Sequence, residues 1–385
     1  MIGRKIDLAE IKKLTKLFPV TAIVGPRQSG KTVLAEQLGY EHYFDLENPR
    51  DLAKFEHPQL ILEELEGTIV IDEIQRKPEL FPLIRYLTDK NPKQKYLVLG
   101  SASGELLRQT SESLAGRVAY FNLGGLRISD VGAGNTGRLW LRGGFPRAYL
   151  AGNDEECFLW LSNYISALLE RDLPQMGINI PANTLRRFWT MLCHYHGQVI
   201  NYSEISRSFG VSDMTVRKYL DILEKTFMVR TLQPWHVNMG KRLVKRPKIY
   251  IRDSGIFHSL ISIESKDTII AHPKLGASWE GFAMEVLARR IGKKAEELYF
   301  WSTHTGAEVD IFWKDKGANW AVECKYDGTP SVTKSMKIAI KDLGLKHLWV
   351  VYPGKDLYKI EKDVTAIPLT IAEEDGLVMK GSGGK

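Results

Sequence analysis

The octet Gly25-Pro26-Arg27-Gln28-Ser29-Gly30-Lys31-Thr32 follows the apolar run Val20-Thr21-Ala22-Ile23-Val24 and fits G-x-x-x-x-G-K-[ST]. Such a loop demands a buried strand leading in and an amphipathic helix leading out. Thr32-Val33-Leu34-Ala35-Glu36-Gln37-Leu38 has its apolar residues at helical spacing. The residue types carry a chemistry of their own. Glycines let backbone N–H groups curl around phosphates, Lys31 reaches the β- and γ-phosphates, and the Thr32 hydroxyl takes one place on Mg²⁺. Residues Gly25 to Val33 are therefore expected to hold ATP and Mg²⁺.

A second half of such a site is present in Thr68-Ile69-Val70-Ile71-Asp72-Glu73, a β-branched run ending in two acids. Ligands of parallel sheets bind at the carboxyl edge, where these acids would lie. Asp72 is assigned to Mg²⁺, directly or through a water, and Glu73 to orienting the attacking water. The bland alternative is a solvated turn after a buried strand. A third run, Lys95 to Gly100, ends at Ser101, whose hydroxyl could meet the γ-phosphate or the water.

A chain of 385 residues makes about two or three domains. No apolar run approaches the roughly eighteen residues of a membrane span, and the N-terminus lacks a signal-peptide core. A cytoplasmic protein with no membrane partner is expected. Cys157, Cys193 and Cys324 are odd in number and far apart, which argues for reduced thiols rather than a disulfide framework or zinc cluster. His194 and His196 look like a metal pair only superficially.

Charge is unevenly placed. From Ala182 to Arg252 there are 13 Lys+Arg against 4 Asp+Glu, a local net of +9 in a chain whose total is +7, so the remainder sums to −2. Within that segment, Tyr202–Phe209 reads as a short helix, Gly210-Val211-Ser212 as a turn with a cap, and Asp213–Phe227 as a second helix. This is helix-turn-helix spacing. Met228–Leu232, the basic stretch Lys241–Lys248 and Ile249–Ile251 suggest a hairpin with a basic tip, hence a winged helix. Thr215, Arg217 and Lys218 would face a DNA groove, and Lys241, Arg242, Lys245, Arg246 and Lys248 would hold phosphates. A protein-binding winged helix with a solvated loop is the alternative.

Further on, a helix over Gly276–Leu287 carries Glu280, a strand carries Asp310, and the next strand carries Glu323-Cys324-Lys325. Acid on helix, Asp on strand and Glu-x-Lys on the following strand is the layout of a restriction-nuclease core. There Glu280, Asp310 and Glu323 would form a second Mg²⁺ site and Lys325 would activate water. Alternation puts Glu323 and Lys325 on one face. A surface ion pair is the plain alternative, and such a fold can persist as a binding platform.

The chain resembles bacterial and archaeal AAA-class P-loop ATPases that carry a C-terminal domain of unknown function with a restriction-nuclease-like core. The marks are the octet, Ile71-Asp72-Glu73-Ile74-Gln75, Leu99-Gly100-Ser101-Ala102-Ser103, Ser113-Leu114-Ala115-Gly116-Arg117, Gly143-Gly144-Phe145-Pro146-Arg147, Gly306 to Asp310, and Glu323-Cys324-Lys325. The resemblance implies Arg117 as an arginine finger given to a neighbouring subunit, Arg147 as a second phosphate sensor, and a homo-oligomer such as the hexamer of AAA motors. The expected architecture is α/β throughout. It comprises a P-loop AAA-type ATPase core over 1–135, a helical connector over 136–181, and a winged helix over 182–255. A nuclease-like α/β domain over 256–375 and a tail over 376–385 follow. The expected function is an oligomeric Mg²⁺-ATPase that remodels or moves along DNA, branched DNA in repair or recombination included. An ATP-regulated nuclease of the defence type and a nucleotide-dependent signalling switch are the alternatives.

Overall fold

Strands that are apolar on both faces belong inside a parallel sheet covered on both sides. The computed structural model describes residues 2–101, 114–235 and 245–377, without the side chain of Ser101. Lys241, Arg242 and the tail from 378 onward lie outside the described residues, as do Ala102, Ser103 and Ser113. The chain divides into two compact units, the first made of residues 1–126 with 145–147 and 222–228, the second of the rest.

In the first unit, β1 (Val20–Gly25), β2 (His42–Asp45), β3 (Gly67–Asp72), β4 (Gln94–Ser101) and β5 (Val118–Asn122) form one parallel sheet in the order β2-β3-β4-β1-β5. Every residue of β1 is buried. Ile23 packs with Ile11, Leu34, Val70 and Leu97 on one face, and Val20, Ala22 and Val24 pack with Ile69, Ile71, Phe81 and Ile84 on the other. Because β1, β3 and β4 run in parallel, Gly25, Asp72 and Ser101 all end at the carboxyl edge. The helix Lys31–Leu38 starts from that edge.

The second unit is built on a nine-stranded sheet. Its strands are β6 (Gln198–Val199), β7 (Val229–Pro234), β8 (Lys248–Ile251), β9 (Tyr299–Ser302), β10 (Glu308–Asp315), β11 (Ala318–Cys324), β12 (Leu345–Tyr352), β13 (Tyr358–Glu361) and β14 (Val364–Pro368), in the order β13-β14-β12-β11-β10-β9-β7-β8-β6. β7 and β8 form an antiparallel hairpin, β6 pairs with β8, and the hairpin joins the C-terminal strands where Gln233 and Pro234 pair in parallel with Tyr299 and Phe300. The expected boundary at 255 thus falls inside a unit whose sheet runs through.

Helices Ala182–His194, Tyr202–Phe209 and Asp213–Lys225 precede the hairpin. The last ends two residues before the expected Phe227, which sits at φ +61°, a conformation no helix continues through. Helix Asp154–Ala167 widens into a π-turn at Leu168–Asp172, followed by a short helical turn over Leu173–Gln175 that contains Pro174. Among the described residues no helix is long and apolar enough to cross a membrane. All three cysteines are free and buried. His196 is buried too, its Nδ1 accepting from the Ile251 N–H at 3.0 Å, while His194 is exposed.

A buried ion triad ties the hairpin to the long helix Leu275–Ile291. Arg230 of β7 grips Glu285 through two bonds of 2.5 and 3.0 Å, and Arg252, just after β8, reaches it at 3.4 Å. Burial alone would raise the Glu285 pKa, but the Arg230 and Arg252 guanidiniums hold it down to about 2. A depressed carboxylate contributes stability above its unfolded pKa of about 4.3, and that contribution fades as pH falls toward the folded value. Glu285→Gln should therefore cost about 3–5 kcal/mol in denaturant unfolding at pH 7. The gap to the parent chain should shrink below about pH 4.

Candidate nucleotide site

The phosphate loop is shaped by backbone that few residue types accept. Gln28 lies at φ +60° and Gly30 at φ +92°, a left-handed pair that turns successive N–H groups toward one concavity. Gly25 is required by a close approach, since a Cβ there would stand 2.4 Å from the Leu123 carbonyl oxygen. Lys31 is buried, and its ammonium donates to the carbonyls of Gly25 at 3.3 Å and Pro26 at 3.0 Å. Burial lowers its pKa, with the negative charges of Glu73 and Asp72 pulling the other way. Arg27 reaches Glu47 at 3.4 Å, a carboxylate it shares with Arg76 at 3.2 Å. Val33 is on the exposed side of the helix.

The two halves read from the sequence meet. Thr32 Oγ1 donates to Asp72 Oδ2 at 2.8 Å, so the hydroxyl and carboxylate expected to serve Mg²⁺ stand side by side. Oxygen donors of this kind suit a hard cation that keeps several waters, and the residues present fit it. Glu73 follows in a left-handed conformation at φ +53°, ψ +42°. A non-glycine residue held there costs of order 1–3 kcal/mol, and such outliers gather at functional sites. Its carboxyl is pushed upward in pKa by burial, against the pull of Lys31. Ser101 ends β4 directly beside Gly25, its Cα partner in the ladder.

Several contributors escaped the sequence reading. Tyr43 on β2 donates its hydroxyl to Asp72 Oδ2 at 3.0 Å. Gln75 donates its side-chain amide to Glu73 Oε2, fixing the carboxylate from two residues away. The Glu-x-Gln spacing was the visible signal for Gln75. For Tyr43 there was none, because only strand pairing brings β2 beside β3.

The remaining expected residues divide. Pro146 packs close to Gly30, 3.7 Å from where a Cβ would project, which brings exposed Arg147 near the loop. Arg117 sits at the opposite edge of the sheet, where its carbonyl accepts from the N–H of Val20 at the start of β1. Six strand residues, roughly 20 Å, separate it from its own phosphate loop. Its guanidinium forks onto Asp89 at 2.6 and 2.9 Å.

In the second unit, Arg217 lies 3.9 Å over the Tyr202 ring, Lys218 and Lys245 are exposed, and Arg246 donates to Asn201 Oδ1 at 2.9 Å. The Thr215 N–H donates the cap hydrogen bond to Ser212 Oγ at 3.1 Å. Lys248 is not a phosphate contact. It is 3% exposed, on β8, and its ammonium meets Asp310 at 3.1 Å and Glu308 at 3.5 Å. Burial works against its charge, but Tyr250, Asp310 and Glu308 raise its pKa well above the ordinary lysine value. The hairpin turned this side chain inward because the acids of β10 lie beneath it.

That pairing bears on the second Mg²⁺ site. Asp310 spends one oxygen on Lys248 and the other on the Cys324 N–H at 2.9 Å, while Lys325 pairs with Glu323 at 2.8 Å. Burial raises the pKa values of Glu280 and Glu323, with Asp310 adding to both shifts. Among the described residues no three His, Cys, Asp or Glu side chains converge to hold a metal ion. Lys248 and Lys325 thus supply positive charge to Asp310 and Glu323, while Glu323 Oε2 is buried without a hydrogen-bond partner among the described residues.

Strand, phosphate loop, helix and the acid pair on β3 define an AAA-class P-loop protein of the ATPase type. Residues 17–131 match the family described as an AAA domain, and residues 135–267 and 275–372 each match a domain of unknown function. The chain belongs to one family with uncharacterized proteins of Mycobacterium tuberculosis and Mycobacterium bovis. Each is 44% identical over 372 residues, covering 96% of this chain and 84% of the relative. Among solved structures it is similar to a Walker-type ATPase of Pyrococcus abyssi, at 16% identity and a TM-score of 0.47 over 68% of this chain and 96% of that one.

If Lys248 serves the acids rather than DNA, Lys248→Met strands a buried carboxylate. It should lower unfolding stability by about 3–5 kcal/mol in chemical denaturation.

Proposed function

We propose that this protein is a Mg²⁺-dependent ATPase that holds DNA and uses hydrolysis to move along or remodel it. The observation that carries the reading is the 2.8 Å bond between Thr32 and Asp72, with Lys31 and Glu73 flanking it. Lys31 would neutralise the β- and γ-phosphates, Thr32 and Asp72 would hold the cation that offsets developing charge, and Glu73, oriented by Gln75, would align the attacking water. A raised carboxyl pKa suits a group that accepts a proton in the act.

The DNA part rests on the second unit. Helix, short strand, two helices and a hairpin, with β6, β8 and β7 adjacent, support a winged-helix reading. Exposed Arg217, Lys218, Lys245 and Arg246 support a phosphate-contacting face in a segment carrying the local +9. Such contacts give affinity without sequence preference, as a motor requires. The distance of Arg117 from its own phosphate loop supports service to a neighbouring subunit, hence an oligomer, a hexameric ring being the AAA precedent. The setting is cytoplasmic DNA repair or recombination. The unexpected pairing of Lys248 with Asp310 supports reading the C-terminal domain as a platform rather than as an ATP-regulated nuclease.

Two variants and one titration test this. Lys31→Ala should abolish ATP binding, and Glu73→Gln should bind ATP with turnover reduced at least about 100-fold. Duplex or four-way-junction DNA should stimulate turnover of the parent chain without being cut. Cleavage that Lys325→Ala removes would favour the nuclease reading, and turnover indifferent to every DNA would favour a signalling switch.

A further inference from the structure

The first residues of the chain show no motif, yet they hold the phosphate loop from behind. Arg4 precedes the helix Lys5–Leu17 and is 4% exposed. Its guanidinium donates through Nε to Asp7 at 2.9 Å, through one terminal nitrogen to the Ser29 carbonyl at 3.0 Å, and through the other to the carbonyls of Gly124 and Gly125 at 2.9 and 2.8 Å. Asp7 is fully buried and orients the guanidinium. One side chain thus joins three stretches distant in sequence: the N-terminal helix, the phosphate loop, and the turn after β5.

The Ser29 carbonyl is a telling place to hold. In a trans peptide the C=O and the following N–H point in opposite directions. A carbonyl of Ser29 drawn toward Arg4 therefore turns the Gly30 N–H away from Arg4, toward the concave side where phosphate would lie. Gln28 at φ +60° is in a conformation a free loop would leave, and the peptides of Ser29 and Gly30 follow from it. Holding them before the nucleotide arrives removes an ordering cost from binding. Only a planar fork can serve this geometry, because an ammonium cannot address Asp7, Ser29 and both glycine carbonyls at once.

We propose that Arg4 is a positioning residue of the nucleotide site, stapling the phosphate loop to the turn at Gly124-Gly125 and presetting the Gly30 N–H for phosphate. This rests on the phosphate-loop reading above. Its role is in binding geometry, not in contact with the reacting atoms.

The test is equilibrium binding of a fluorescent ADP to the full chain, with Arg4→Gln, Arg4→Lys and Arg4→Ala compared with Lys31→Ala, well below each variant's unfolding temperature. All three Arg4 variants should bind about 10- to 100-fold more weakly than the parent. Millimolar methylguanidinium should restore part of the affinity to Arg4→Ala and none to Lys31→Ala. Arg4→Lys keeps a cation beside Asp7, so it supplies a folded variant if removing the charge prevents folding. Parent-like affinity in Arg4→Lys, or a lowered melting point with ADP affinity unchanged, would overturn the proposal while leaving the phosphate loop intact. No ADP binding by the parent chain would bring down the nucleotide reading itself, and the role of Arg4 with it.

Discussion

Everything this protein can do with a nucleotide depends on β1 delivering its backbone, without a side chain in the way, into the phosphate loop. Gly25 passes so near the Leu123 carbonyl that a methyl group would collide with it, and β1 is held in place by parallel ladders to β4 and β5. The ladders bring the ends of β3 and β4 to the same edge. Lys31, Thr32, Asp72 and Glu73 become neighbours through that register alone, although the first and last are separated by four further elements of chain. The hydrophobic faces on either side of the sheet supply the stability; the edge spends some of it on left-handed residues and a buried ammonium.

A second theme is charge kept inside. In the C-terminal unit Lys248 answers Asp310, Lys325 answers Glu323, and two arginines answer Glu285. Buried pairs of this sort add little net stability over apolar packing but are costly to break, so they fix which surfaces meet. Two of the three clusters tie the β7–β8 hairpin to elements beyond residue 275, which is why hairpin and C-terminal strands share one sheet. The same chemistry that makes the acids look like a metal site pairs Asp310 and Glu323 with lysines.

Strong local rules were legible in advance. The helix Tyr202–Phe209 has the bounds read for it, and the strand read to Glu73 ends one residue earlier, at Asp72. The long helix extends to Ile291, beyond the Leu287 read from periodicity, and Lys325 falls one residue past the end of β11. Element ends depend on caps and on neighbours, which local propensity sees poorly. Lys248 shows the larger failure. Five basic residues in a row of eight read as one phosphate-holding tip, and only the pairing of β8 in the sheet reveals that the last of them faces acids from β10.

The sequence by itself determined the phosphate loop, the acid pair after β3, and the concentration of positive charge between 182 and 252. Each is written in contiguous residues whose types are dictated by backbone geometry or ion chemistry. Tertiary structure alone decided that Tyr43 attends Asp72, that Arg4 reaches the phosphate loop, that Lys248 is buried, and that Arg117 stands at the far edge of its own sheet. These are contacts between segments, set by strand order and by which buried polar groups can find partners, and no window of sequence contains both sides of them.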